Sequence, residues 1–294
     1  MRTTHWFLSA TLALASVVSL AQSESNANGP IREARGADGK PSPECTGRHH
    51  TFRSQSLQRE MAYCLLLPAD YETSQRTYPV LYLLHGLWGS ENDWLALTNV
   101  AEQVRALPLI VVMPQADDSW YVNAATRPEA KYEDYVFGDL VQEIEDKYRA
   151  EKAREARFLA GLSMGGYGAL KQGVKQPQRF AVVGAFSATI NAARRVRLDV
   201  KTPGIAFGVA DSPTRNENDV FTLIGKADPK SLPYIFVMTG FDDPVALEDG
   251  REFLALAQLM RVQYEYHEFP ARHEWPFWQK SLEAYLRVIA PRLK

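Results

Sequence analysis

The run 157–162 is apolar and of strand length, Ser163 follows it between Gly161 and Gly165, and a helical pattern opens at Met164. A strand that turns sharply into a helix holds the residue at the turn in a strained backbone conformation and lifts its side chain into the open. Side chains two positions to either side would collide across such a turn, so glycine suits positions 161 and 165. The chemistry offered is nucleophilic: a serine oxygen attacking a carbonyl carbon. A bare Gly-x-Ser-x-Gly also arises in ordinary glycine-rich turns. The strand before Ser163 and the helix after it favour the nucleophile.

A serine hydroxyl ionises far above neutral pH, so it needs a base to take its proton, and the base needs a partner to orient it. The chain has six histidines. His5 lies in the N-terminal apolar segment, His49 and His50 precede the serine in a first strand, His85 ends an early strand, and His267 sits inside a late one. His273 remains, in a loop between the last expected strand and the last helix. The acid is expected after the strand 234–239, where Asp242 and Asp243 compete. The spacing from Gly240 favours Asp243, because it leaves the loop room to turn back toward the histidine. Asp242 stays open, with capping of the next helix as its alternative role.

Attack on a carbonyl builds negative charge on its oxygen, which two fixed backbone N–H groups would stabilise. Met164, directly after the nucleophile, is one expected donor. Leu87, in the glycine-bearing loop His85 to Gly89, is the other, and His85 is then structural. Trp88, Trp120 and Trp275 each follow one of these motifs and are expected to wall an apolar or aromatic pocket. Filling gaps between helices and sheet is the alternative, and is the expected role of Trp94 and Trp278.

These residues need a scaffold that brings strand ends together. Residues 49–57 and 59–67 read as a hairpin. The runs 79–84, 107–113, 157–162, 180–186 and 234–239 are continuously apolar, as strands buried on both faces require. Amphipathic stretches at 132–150, 164–175, 246–261 and 275–289 alternate with them. The pattern predicts an α/β fold with a mostly parallel central sheet and helices on both faces. Residues 190–232 break the rhythm and read as an excursion over the C-terminal edge of the sheet, serving as a lid or pocket wall, or as surface decoration.

Residues 1–21 carry Arg2, an apolar stretch and a small-residue ending, the form of a cleavable secretory signal rather than of an uncleaved anchor. Export to the periplasm or medium is therefore expected, with no membrane span after cleavage. Residues 22–44 are polar and aperiodic and read as a disordered or extended leader; residues 45–294 form one domain. The formal net charge of −2 is too balanced to suggest nucleic acid or an anionic membrane as partner. The only two cysteines, Cys45 and Cys64, are permitted to pair in an exported chain, or both stay reduced. No metal or organic cofactor is required by this chemistry.

Taken together, the motifs at Leu83 to Leu87, at Ser119 to Asn123, at Tyr132 to Tyr135, at Gly161 to Leu170 and at His273 to Trp275 resemble the esterase D family of α/β-hydrolases. That family includes feruloyl and tributyrin esterases, S-formylglutathione hydrolases and mycolyltransferases. The resemblance covers residues 52–291. It implies the α/β-hydrolase fold, Ser163, Asp243 and His273 as a triad, and Leu87 and Met164 as oxyanion donors. The activity it implies is hydrolysis of short acyl or hydroxycinnamoyl esters, on a small molecule or a polysaccharide. Acyl transfer to a sugar hydroxyl, thioester hydrolysis and a non-catalytic binding protein on the same fold are the alternatives. Acyl and alcohol specificity and the oligomeric state are not legible in the chain.

Overall fold

A computed structural model describes residues 49–195 and 206–293. Eight strands form one sheet: β1 (His49–Ser54), β2 (Arg59–Leu66), β3 (Val80–Leu84), β4 (Ile110–Pro114), β5 (Arg157–Leu162), β6 (Val182–Phe186), β7 (Tyr234–Gly240) and β8 (Tyr264–Phe269). Their order is β1-β2-β4-β3-β5-β6-β7-β8. The first two pairings are antiparallel and all later ones parallel. β3, β4, β5 and β6 are buried at every position, which is why they read as unbroken apolar runs.

The helices are α1 (Asp93–Leu97), α2 (Val100–Val104), α3 (Leu140–Lys147), α4 (Met164–Lys175), α5 (Pro213–Asn218), α6 (Val220–Lys226), α7 (Pro244–Met260) and α8 (Trp275–Ile289). Successive strand residues point to opposite faces, and the core divides accordingly. Tyr82, Leu84, Leu159, Val183 and Val237 pack with residues of α3, α4, α6 and α7. Leu81, Leu83, Phe158, Val182, Phe186 and Phe236 pack with α1, α2 and α8. Helices on both faces of a mostly parallel sheet were expected, and the sheet places the C-terminal ends of β3, β5, β6 and β7 side by side.

Several elements depart from the expected bounds. The stretch 132–150 is not one helix: a short turn Tyr132–Asp134 and a π-helical turn Tyr135–Asp139 precede α3. The cause is visible at Asp139, whose carboxylate accepts from Ser54 Oγ at 2.6 Å, Ser56 N at 2.7 Å and Ser56 Oγ at 3.0 Å. It is thereby tied to the turn between β1 and β2. The short α1 and α2, absent from the sequence reading, are too brief for a periodicity to show. In the excursion 190–232, α6 contributes Val220, Phe221 and Ile224 to the core. Residues 196–205 of that excursion, the N-terminal segment 1–21, the leader 22–44 and Cys45, whose pairing with Cys64 the sequence leaves open, lie outside the described residues; Cys64 is buried in β2.

Candidate active site

Ser163 stands between β5 and α4 with φ 52° and ψ −117°, a left-handed backbone that an L-residue adopts under strain. Its N–H donates to Phe186 O at 2.8 Å, and its own carbonyl accepts from Tyr167 N at 3.0 Å, so both sides of the turn are held. A Cβ at position 161 would lie 2.6 Å from the Gly165 carbonyl, and one at position 165 would lie 2.5 Å from His85 O and 2.7 Å from Leu84 O. Both contacts are with backbone, which cannot swing aside. The glycines on either side of the serine are therefore required by main-chain proximity.

The structure brings Ser163, His273 and Asp243 together. His273 Nε2 lies 3.0 Å from Ser163 Oγ, and His273 Nδ1 lies 2.6 Å from Asp243 Oδ2. With a carboxylate facing Nδ1, that nitrogen carries the proton and donates it, and Nε2 is free to accept from the serine hydroxyl. Asp243 is buried, whereas the His273 side chain is 42% exposed. Burial by itself would raise the Asp243 carboxyl, but the hydrogen bond and charge of His273 and the Ala246 N–H outweigh it and hold the group below its usual range. Asp242 is exposed, and its N–H donates to Ala271 O at 3.0 Å. The capping role considered for Asp242 belongs to Asp243, whose Oδ1 accepts from Ala246 N at 3.3 Å at the start of α7. One carboxylate thus orients the histidine and caps a helix.

The loop carrying His273 approaches because Gly240 lets it: a Cβ there would collide with Ala271 O. Trp278, expected to be a gap filler, packs edge-on against His273 with ring centroids 4.9 Å apart. It fixes one flank of the imidazole.

Met164 is the first residue of α4, where backbone N–H groups have no partner inside the helix. Leu87 follows Gly86, whose Cβ position would be 3.5 Å from Ser163 Cβ, so the β3 loop runs directly over the serine. The Leu87 N–H takes part in no hydrogen bond among the described residues. His85 sets this loop as a structural residue: its Nδ1 faces Gly86 O at 2.7 Å and its Nε2 accepts from Ala116 N at 3.0 Å. Behind it Tyr121 donates its hydroxyl to His85 O at 2.9 Å, and the Tyr121 carbonyl accepts from Lys171 Nζ at 2.8 Å. Lys171 is fully buried beside Glu133, 2.7 Å from Oε2. Burial pushes its ammonium down to about 8 despite that carboxylate. This supporting chain was not read from the sequence. A lysine following the apolar, glycine-rich first half of the helix was the available signal.

A cavity of about 250 Å³ adjoins the serine, lined by Ser163, Thr189, Asp243, Val245, Ala246 and His273. The tryptophans expected at its wall are placed elsewhere. Trp120 is buried against Tyr167 and Phe207. Trp275 packs edge-on against Trp94 and Trp278. Trp88 is exposed on the β3 loop. Small and branched side chains from the loop after β6 and the first turn of α7 form the wall instead, and Thr189 and Ala246 carried no distinguishing pattern. Among the described residues, no group of three or more His, Cys, Asp or Glu side chains is placed to hold a metal ion.

Comparison with known proteins places the chain in a family. Residues 54–289 match the Esterase family. An acetyl esterase of Caldicellulosiruptor saccharolyticus is 26% identical over 79% of this chain and 93% of its own length. An esterase of Mycobacterium tuberculosis is 32% identical over 76% of this chain, which spans 55% of that protein. Among solved structures, a fluorophosphonate-binding serine hydrolase of Staphylococcus aureus superposes with a TM-score of 0.75 at 25% identity, covering 82% of this chain and 97% of that one. A ferulic acid esterase gives 0.72 at 28% identity, covering 83% and 97%. The chain belongs to the Esterase family and is an esterase D-like serine hydrolase with the α/β-hydrolase fold, acting on ester bonds.

Proposed function

We propose that the protein is an exported carboxylesterase in which Ser163, His273 and Asp243 form the catalytic triad, acting on esters of a small acyl group. The observation that carries the proposal is the unbroken hydrogen-bonded chain from Ser163 Oγ to His273 to Asp243, at 3.0 Å and 2.6 Å. His273 Nε2 takes the serine proton as Oγ attacks the ester carbonyl. The tetrahedral oxyanion is met by the N–H groups of Leu87 and Met164. The intermediate collapses with cleavage of the bond to the alcohol oxygen, which receives the proton from His273. Water, deprotonated by the same imidazole, then attacks the acyl-serine and releases the acid and free Ser163. Asp243 holds the imidazole in the required tautomer and stabilises the imidazolium formed at each step.

A cavity of about 250 Å³ with Thr189, Val245 and Ala246 in its lining supports a short acyl group rather than a long one. The decisive experiment treats the enzyme with a fluorophosphonate and maps the adduct by mass spectrometry, alongside turnover of p-nitrophenyl acetate. Labelling at Ser163, abolished in Ser163→Ala together with turnover, is the expected result. Persistent turnover in Ser163→Ala would overturn it. Export is tested separately, by the N-terminal sequence and cell fraction of the mature protein.

A further inference from the structure

Six large apolar side chains are exposed among the described residues: Trp88, Val209, Phe241, Val245, Leu259 and Phe269. Phe241 and Val245 flank Asp243, and Val245 lines the cavity already described. Trp88 stands apart from them. It is 69% exposed, although tryptophan has more to gain from burial than any other side chain here. Its backbone is also left-handed, with φ 62°, a conformation that is a genuine outlier for a bulky residue. That backbone is held in place: the Trp88 N–H donates to Asp118 Oδ1 at 2.6 Å. Asp118 is half-buried, and its second oxygen accepts no hydrogen bond among the described residues.

The position relative to the chemistry follows from the chain. Trp88 is two residues past Gly86, so their Cα atoms are separated by no more than about 7 Å. Gly86 itself lies against Ser163. Of the residues lining the cavity, Thr189 comes from the loop after β6 and Val245 and Ala246 from the first turn of α7, whereas Trp88 comes from the loop after β3. An ester bound at Ser163 has two halves. If the short acyl group occupies the cavity, the alcohol half has the β3 loop to lie against.

We propose that Trp88 and Asp118 form a subsite for a pyranose ring as the alcohol half of the ester; this rests on the esterase reading above. A pyranose has one face of C–H groups and a rim of hydroxyls. The indole face matches the first, through contact with its negative π surface. A carboxylate oxygen matches the second, because an O–H donating to an ionised acceptor makes a strong hydrogen bond. An acyclic alcohol needs no such platform, and a purely apolar one gains nothing from the carboxylate. The strained backbone is explained as the means of presenting the ring to solvent beside Leu87 instead of letting it fold inward.

The test holds the acyl group constant and varies the alcohol. kcat/KM is measured for an acetylated methyl pyranoside and for ethyl acetate, and their ratio is compared between the wild-type enzyme, Trp88→Asn and Trp88→Phe. Asparagine tolerates the left-handed backbone, so the first variant removes the ring without forcing the loop. The expected result is a fall of about tenfold in the ratio for Trp88→Asn, the scale of one aromatic contact, with most of it restored by Trp88→Phe. Asp118→Ala lowers the ratio in the same direction. A ratio unchanged in Trp88→Asn, or parallel losses on both acetates accompanied by slower fluorophosphonate labelling, would overturn the subsite and leave Trp88 as a support for the oxyanion loop. Failure of the wild-type enzyme to be labelled or to cleave either acetate would count against the esterase reading itself.

Discussion

At Ser163 the backbone is held by main chain against main chain: a Cβ at 161 or 165 would enter the space of the Gly165, Leu84 and His85 carbonyls. At His273 and Asp243 the holding forces are a hydrogen bond of 2.6 Å, a helix cap at 3.3 Å and the edge of Trp278. The nucleophile side is thus defined by excluded volume, which does not depend on pH and is written locally. The acid–base side is defined by charge and hydrogen bonds between residues 30 positions apart, which do depend on pH and on tertiary structure. Substitutions on the acid–base side should therefore cost activity while sparing the fold. On the nucleophile turn they should cost the fold itself.

The largest effect is expected from His273→Ala. Without the base, Ser163 loses the acceptor 3.0 Å from its hydroxyl, and kcat on p-nitrophenyl acetate should fall by about 10⁴- to 10⁶-fold. Because the His273 side chain is 42% exposed, the thermal midpoint should move little. A loss of less than about a hundredfold would show that the imidazole is not the base.

Asp243→Asn comes next. The amide can present its nitrogen to Nδ1 and so favour the wrong tautomer, with kcat expected to drop about 10⁴-fold. Asp242→Asn is the control, since Asp242 is exposed and engages the neighbouring loop through its backbone. Its activity should stay within about twofold of wild type, as for a surface substitution. Equal losses in the two variants would reopen the choice between the adjacent aspartates.

Gly165→Ala probes the other side. The added methyl would sit 2.5 Å from one carbonyl oxygen and 2.7 Å from another, so the turn must open. About 3 kcal/mol of stability should be lost, read from the urea midpoint, with activity falling along with it. Gly138→Ala offers the contrast, because its Cβ position has nothing within 4 Å, and it should be nearly silent.

The same division explains which parts were legible in the chain. Gly161, Ser163 and Gly165 form a local steric pattern, so strand, turn and helix could be read together. The buried strands showed as continuous apolar runs because both faces of β3 through β6 are covered. Asp243 could be favoured over Asp242 only by spacing, since what separates them is burial and a histidine from a distant loop. The cavity wall was misread for the same reason. Tryptophans near motifs look like pocket residues, but Trp120 and Trp275 found aromatic partners in the two cores, leaving Thr189 and Ala246 at the cavity. The break at Tyr135–Asp139 followed from Asp139 bonding to Ser54 and Ser56, a contact across 80 residues or more that no periodicity reports.

The smallest expected effect concerns acid stability. The folded Asp243 carboxyl titrates below its ordinary value because His273 and the Ala246 N–H favour its charged form against the opposing effect of burial. Between the unfolded value and the lowered folded one, the unfolded chain binds more protons, so stability rises with pH across that window. The contribution is complete above the unfolded carboxylate value and is lost as pH falls through the folded one. Asp243→Asn removes this titration. Urea midpoints measured from pH 6 down to pH 3 should therefore fall less steeply for the variant than for wild type. Gly165→Ala should run parallel to wild type at every pH, displaced by its constant steric cost. A Gly165→Ala curve that converged on wild type in acid would mean that charge also holds the nucleophile turn, and the separation of the two sides would fail.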